Sequence, residues 1–168
     1  MVDDGAEGGG ERAAGCAAEG GEGAPRGRAL VSPGAPEIPV AGCLFGLGID
    51  VIAAERIGRL LERQPAAYER LFSPQERAYC DGFAAPYPHY AARFAAKEAV
   101  GKALGIGIIG FVWRDIEVLS GGKPLVALHG GVADVARRLG VTRVELSLSH
   151  TAGMAYAVAA ALKEDADV

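Results

Sequence analysis

The C-terminal part of the chain contains two apolar stretches separated by a short turn, and this feature constrains the fold most strongly. From Arg143 to Ser149 apolar and polar side chains alternate, with the two-residue period of a half-buried β-strand. Met154 to Leu162 is a second, more continuously apolar stretch, and the intervening His150–Gly153 segment ends in glycine. The pattern predicts an antiparallel hairpin, and therefore a sheet with one face that must be covered.

Helical patterns elsewhere in the sequence indicate what covers that face. Further predicted elements are a buried strand over 43–51, a helix that ends before Pro65, a helix that starts at the capping box Ser73–Glu76, a loop over 82–90, a helix from Tyr90 to Leu104, a flexible connection over 105–110, strands over Asp115–Leu119 and Pro124–Leu128, and a helix over Val132–Leu139. Together they predict an α+β fold, with helices packed on one face of a mostly antiparallel sheet.

Residues 1–42 differ in composition from the rest of the chain. They contain 11 of the 25 glycines, with seven acidic residues against three arginines. Almost nothing large and apolar precedes Leu30, so this segment cannot bury enough surface to offset its ordering entropy. We predict a disordered, acidic Gly/Ala-rich tail over 1–42 and a single folded domain over 43–168.

Charge and cysteine content exclude several classes of protein. The formal net charge of −4 argues against nucleic-acid binding through bulk positive charge. No uncharged apolar run approaches the length of about 20 residues that spans a membrane, and the acidic start does not resemble a signal peptide. Cys16, Cys43 and Cys80 form no CxxC pair, which favours a reducing cytoplasm, and Cys43 is predicted to be a small core residue.

Three places in the sequence could support chemistry, and each has a simpler structural interpretation. Asp50 directly follows an apolar strand, where a carboxylate could bind a metal or cap the next helix. Glu98 and Lys102 are four residues apart, so they share a helical face as a ligand-binding pair or as an ordinary surface ion pair. Ser149 and His150 lie at the predicted hairpin turn, where they could hold phosphate oxygens or simply be solvated.

The order of these residues along the chain resembles the holo-[acyl-carrier-protein] synthase family, the short class of phosphopantetheinyl transferases. The resemblance covers about residues 44–162. The matching segments are Gly46-Leu47-Gly48-Ile49-Asp50, Arg56-Ile57, Arg93-Phe94-Ala95-Ala96-Lys97-Glu98-Ala99 with Lys102, Gly105-Ile106-Gly107-Ile108, Gly122-Lys123-Pro124 and Ser147-Leu148-Ser149-His150-Thr151. Larger transferases carry two copies of the fold and an acid where this chain has Ile52, so the short, single-copy class is the better match.

The resemblance implies transfer of 4′-phosphopantetheine from coenzyme A to a serine of apo acyl carrier protein, with release of adenosine 3′,5′-bisphosphate. Asp50 and Glu98 would be the ligands of Mg²⁺, a cation that prefers oxygen donors. Lys102 would stabilise or protonate the leaving group, and either Glu98 or a metal-held water would deprotonate the serine. The residues implied in coenzyme A binding are Arg93, Lys97, Lys123, Ser149 and His150.

The same resemblance implies partners. Arg56, Arg59 and Arg63 form a basic helix face that would dock the acidic carrier, although a merely solvated face has the same pattern. The family also implies a homotrimer with active sites between subunits. Two other functions fit parts of the sequence, namely a non-catalytic carrier-binding module and a coenzyme A sensor.

Overall fold

The computed structural model describes residues 43–107 and 112–164. The predicted tail over 1–42, and part of the predicted flexible connection, therefore lie outside the described residues. The elements are β1 (Cys43–Ala53), α1 (Ala54–Arg63), α2 (Ala66–Leu71), α3 (Pro74–Asp81), α4 (Pro86–Ala103), a 3₁₀ turn (Trp113–Asp115), β2 (Ile116–Leu119), β3 (Leu125–Leu128), α5 (Gly130–Leu139), β4 (Arg143–Thr151) and β5 (Met154–Lys163).

The five strands form one antiparallel sheet in the order β1-β5-β4-β3-β2. The predicted hairpin is confirmed, but its turn is tighter than the sequence suggested. Thr151 pairs with Met154, so the turn consists of Ala152 and Gly153 alone, and both residues have positive φ angles (48° and 77°). Such two-residue turns match the twist of the strands that they join. His150 consequently belongs to β4 and not to the turn.

Helix α4 covers one face of the sheet at very short range, because the strand and the helix meet through small residues. A Cβ atom on Gly48 would lie 1.9 Å from the carbonyl oxygen of Ala99, and one on Gly46 would lie 2.1 Å from that of Ala103. Facing residues of β5 are alanines that are almost fully buried (Ala155, Ala157, Ala159 and Ala161). This contact fixes the position of α4 relative to β1, and hence the positions of the side chains at their boundary.

Two of the local predictions are wrong. The segment 82–90 is not entirely loop, because α4 begins at Pro86 and includes Pro88. Both prolines lie in the first helical turn, where a backbone N–H has no partner within the helix and its absence costs nothing. Cys43 is exposed and not a core residue. It lies three residues before Gly46, which already contacts the last residue of α4, so β1 extends past the helix there.

The capping box that starts α3 is confirmed. The backbone N–H of Ser73 donates to Glu76 Oε2 at 2.8 Å, and the Glu76 N–H donates to Ser73 Oγ at 3.2 Å. Among the helices of the described ranges, none is long and apolar enough to cross a membrane.

Candidate functional site

Asp50 lies on the helix-covered face of β1, directly beside α4. Its carboxylate accepts a hydrogen bond from Lys102 Nζ at 2.8 Å, and the same amine donates to the carbonyl of Ile49 at 2.9 Å. The alternative role of Asp50 as a helix cap is wrong, since α1 begins at Ala54 and has no side-chain cap. The glycines of β1 bring α4 close enough for this contact between residues 52 positions apart.

Glu98 is the second carboxylate at this place. Burial and then the negative charge of Asp50 raise the pKa of Glu98, while Lys102 opposes the shift. The sequence alone suggested that Glu98 and Lys102 could be a simple surface pair. The structure instead directs the Lys102 ammonium to Asp50, so that three charged groups from β1 and α4 form one cluster.

This cluster has the donor chemistry of a magnesium site. A divalent cation between two neighbouring carboxylates offsets the repulsion of their negative charges. Within the described ranges, no group of three or more His, Cys, Asp or Glu side chains could hold a metal. Mg²⁺ commonly uses one or two carboxylates and completes its shell with water and substrate phosphate, so the pair Asp50 and Glu98 fits Mg²⁺ better than a transition metal.

A second cluster surrounds Arg93, whose side chain is buried. Its Nη2 donates to Ser120 Oγ at 2.6 Å, and its guanidinium lies 3.9 Å from the centre of the Tyr79 ring. Its buried Nε has no hydrogen-bond partner. The His150 ring lies 5.8 Å from the ring of His89, centre to centre. Sequence reasoning assigned no role to His89, although its spacing of four residues from Arg93 on α4 could have marked it.

The two clusters project from different sides of α4. Each residue of an α-helix advances by about 100°, so Arg93 and Glu98, five positions apart, are separated by roughly 140° around the axis. His89 is four residues from Arg93 and shares its face of the helix. Lys102 is four residues from Glu98 and shares the other face. One chain therefore presents its carboxylate cluster and its arginine–histidine cluster in different directions.

Other residues implied in coenzyme A binding have different surroundings. The side chain of Lys97 is completely buried. Its ammonium donates to the Glu76 carboxylate and to the carbonyls of Trp113 and Ile116 at 2.5–3.0 Å. We therefore omit Lys97 from the proposed ligand set, because its three N–H groups are already used.

Among the described residues, Lys123 and Ser149 form no hydrogen bond or ion pair with either cluster. Lys123, in the connection between β2 and β3, forms an ion pair with Glu145 of β4. Ser149 is exposed and pairs with Tyr156, on the face of the sheet opposite His150. Within a single chain, only His150 of the Ser149–His150 pair joins the Arg93 cluster.

Arg56, Arg59 and Arg63 line a groove of about 340 Å³ beside α1. Its floor is partly apolar, and includes Leu60 and Phe94. Arg59 also forms an exposed ion pair with Glu55 at 3.0 Å, whereas Arg56 is exposed without an ion pair within 4.0 Å among the described side chains. The apolar floor is the part of this surface that the charge pattern did not indicate.

Comparison with known proteins places this geometry in a family. The model of the 4′-phosphopantetheinyl transferase superfamily matches residues 46–161. A holo-[acyl-carrier-protein] synthase of Anaeromyxobacter sp. (strain K) is 52% identical over 119 residues, which are 68% of this chain and 92% of that protein. The crystal structure of the Neisseria meningitidis synthase has a TM-score of 0.65 and 32% identity, covering 71% of this chain and 98% of that one. The Helicobacter pylori synthase in complex with coenzyme A has a TM-score of 0.60 and 31% identity, covering 68% and 98%.

Proposed function

The chain belongs to the holo-[acyl-carrier-protein] synthase family of the 4′-phosphopantetheinyl transferase superfamily. We propose that its reaction depends on Mg²⁺ and that Asp50 and Glu98 bind this ion. The reaction transfers 4′-phosphopantetheine from coenzyme A to a serine of apo acyl carrier protein. The observation that supports the metal assignment is the cluster of Asp50, Glu98 and Lys102, since its two carboxylates offer the oxygen ligands that Mg²⁺ prefers.

The residues of the cluster have separate roles in this proposal. When bound, Mg²⁺ supplies charge neutralisation to the pyrophosphate of coenzyme A. The carrier serine forms a new O–P bond as the bond to adenosine 3′,5′-bisphosphate breaks. Lys102 keeps an ammonium beside the leaving phosphate and can donate a proton to it. Glu98, whose pKa is raised by burial, or a water held beside it, takes the serine proton.

Removal of the metal tests this assignment. We expect transfer to stop in excess EDTA and to recover when Mg²⁺ is added back beyond the chelator, as followed by the release of adenosine 3′,5′-bisphosphate. A circular-dichroism spectrum recorded in EDTA controls for unfolding. Transfer at the full rate in EDTA by a protein freed of metal would overturn the proposal.

We place acyl carrier protein on the groove lined by Arg56, Arg59 and Arg63. The carrier proteins that this family modifies are acidic, and opposite charges on two partners speed their encounter. Arg56 is the best candidate for direct contact, because no described carboxylate neutralises it within 4.0 Å, while Arg59 already pairs with Glu55.

Charge reversal at Arg56 tests the docking surface. For Arg56→Glu we expect the KM for apo carrier to rise about tenfold, with kcat and the Kd for coenzyme A nearly unchanged, because the change affects encounter and not chemistry. Arg138→Glu, on the exposed side of α5, is the matched control and should behave as the wild type. Equal effects of the two variants would show that only the overall charge matters.

We also propose that the protein is a homotrimer with active sites between subunits. On the face of the sheet opposite α4, the part formed by β1 and β5 is apolar and exposed in one chain; it includes Leu47, Ile49, Val51, Tyr156 and Val158. An apolar face of this kind is typical of an interface between subunits. Because the carboxylate and arginine–histidine clusters point in different directions, a ligand that contacts both would contact two chains.

A charge on this face tests the assembly. We expect Val158→Asp to dissociate the assembly from three copies of the 17.2-kDa chain to one, since an unpaired carboxylate would be buried at the interface. Light scattering after gel filtration measures the mass, and transfer should be lost with the trimer. Leu119→Asp, an equally exposed apolar position on β2, is the control. A trimeric and active Val158→Asp protein would contradict the proposal.

A further inference from the structure

The surroundings of Arg93 are unusual for a buried guanidinium. No carboxylate forms an ion pair with it among the described residues, and its hydrogen bond is to the hydroxyl of Ser120. Its guanidinium also lies over the face of the Tyr79 ring, and its buried Nε has no hydrogen-bond partner. A buried charge without a counter-ion is costly, so this arrangement indicates a place that an anion completes.

His89 lies at the same place, held between aromatic side chains. Its ring stacks on Phe83 with the centres 3.7 Å apart and the planes 18° from parallel, and the Tyr79 ring meets it edge-on at 6.0 Å. The tilted ring of His150, from β4, lies 5.8 Å away. These contacts bring one arginine and two imidazoles, from α4 and β4, into one cluster.

The charged and titratable groups that face His89 are nearly all basic. They are His150 from β4 and Arg93 from its own helix, while α3 contributes the Tyr79 ring. Asp81, the last residue of α3, accepts a hydrogen bond from the hydroxyl of Tyr90. Burial, followed by His150 and then Arg93, lowers the pKa of His89, so without an anion its neutral form is favoured near neutral pH.

We infer that His89 is a third basic group of the site formed by Arg93 and His150, and that it takes up a proton when a phosphate group of coenzyme A binds there. The inference rests on the proposed role of Arg93 and His150 in coenzyme A binding. A phosphate supplies the negative charge that the cluster lacks, and this charge stabilises the protonated form of His89. Binding is then linked to protonation, and affinity falls as the pH rises.

The same linkage makes His89 a determinant of substrate affinity and not of the chemical step. It lies on the side of α4 away from Glu98, so its charge acts on the bound nucleotide and not on the serine or the leaving oxygen. The KM for coenzyme A should therefore depend on His89, while kcat at saturating coenzyme A should not.

Calorimetric titration with coenzyme A and with adenosine 3′,5′-bisphosphate, between pH 6 and pH 8, tests the inference. For the wild type we expect the Kd to rise about tenfold over this range, with proton uptake visible as a difference between buffers of unequal ionisation enthalpy. His89→Phe keeps the stacking on Phe83 but cannot titrate. Its Kd should rise only about threefold and its proton uptake should fall, while the two proteins bind equally at pH 8.

The remaining histidine supplies the matched control. His129 is exposed at the start of α5, 3.1 Å from Glu117, and His129→Asn should retain the wild-type pH dependence. The phosphate's own titration is common to all three proteins, so the difference between them isolates His89. Wild-type pH dependence and proton uptake in His89→Phe would overturn the inference. If the wild type bound coenzyme A but transferred nothing, the proposed function would fail instead.

Discussion

Glu98→Ala is expected to lower the rate of phosphopantetheine transfer about a thousandfold or more, and Asp50→Ala is expected to do the same. Each change removes one of two carboxylates that Mg²⁺ would bind, and with it the charge that stabilises the transferring phosphoryl group. The rate is measured by release of adenosine 3′,5′-bisphosphate from coenzyme A, at saturating carrier and several Mg²⁺ concentrations.

The two variants also separate metal binding from folding. Asp50 and Glu98 are both partly accessible, so removal of either should leave the unfolding midpoint close to that of the wild type. Glu98→Ala relieves the repulsion between the two carboxylates, whereas Asp50→Ala relieves it but also loses the ion pair with Lys102. Glu55→Ala, which loses only an exposed ion pair on α1, is the control. Near-normal Mg²⁺-dependent transfer by either variant would contradict the metal assignment.

Glu76→Ala is expected to destabilise the fold by about 3–5 kcal/mol, because it leaves the buried ammonium of Lys97 without its partner. The carboxylate of Glu76 lies between three elements: it accepts from Lys97 of α4 at 2.8 Å, from the Val118 N–H of β2 at 3.0 Å and from the Ser73 N–H at 2.8 Å. Denaturant unfolding followed by circular dichroism measures the change. Loss of Glu55 from its exposed pair should cost at most about 1 kcal/mol.

The pH dependence of this variant has a definite sign. Burial already lowers the pKa of Lys97 from the ordinary 10.5, and Glu76 opposes that effect. Without Glu76 the folded-state pKa falls further, so the unfolded chain binds more protons over the interval up to 10.5. The stability of Glu76→Ala relative to the wild type should therefore rise as the pH increases towards 10. A stability difference that stays constant with pH would show that Lys97 is not the group left uncompensated.

Features that depend on local sequence could be predicted, because the physical cause lies within a few residues. The alternation from Arg143 to Ser149 predicted β4 and its antiparallel partner, and the capping box at Ser73 predicted the start of α3. The error at Pro86 has the same local character: proline stops a helix in its interior but is favoured in its first turn.

Features that depend on packing between distant segments could not be predicted. The sequence placed Lys102 beside Glu98, but the approach of α4 to the glycines of β1 directs its ammonium to Asp50. The resemblance implied that Lys97 contacts coenzyme A, but its ammonium is buried against Glu76 in the capping box of α3 and the carbonyls of Trp113 and Ile116. His89 joins His150 because the tight hairpin turn extends β4 to Thr151.

The most direct test of the whole account is the intact mass of an apo acyl carrier protein after incubation with this protein, coenzyme A and Mg²⁺. We expect a gain of one phosphopantetheine per carrier, absent in EDTA, absent with Glu98→Ala, and absent when the acceptor serine is replaced by alanine. An unchanged carrier mass with the wild-type protein and Mg²⁺ would contradict the transferase function. A gain that persists in EDTA would contradict the role of Asp50 and Glu98 as metal ligands.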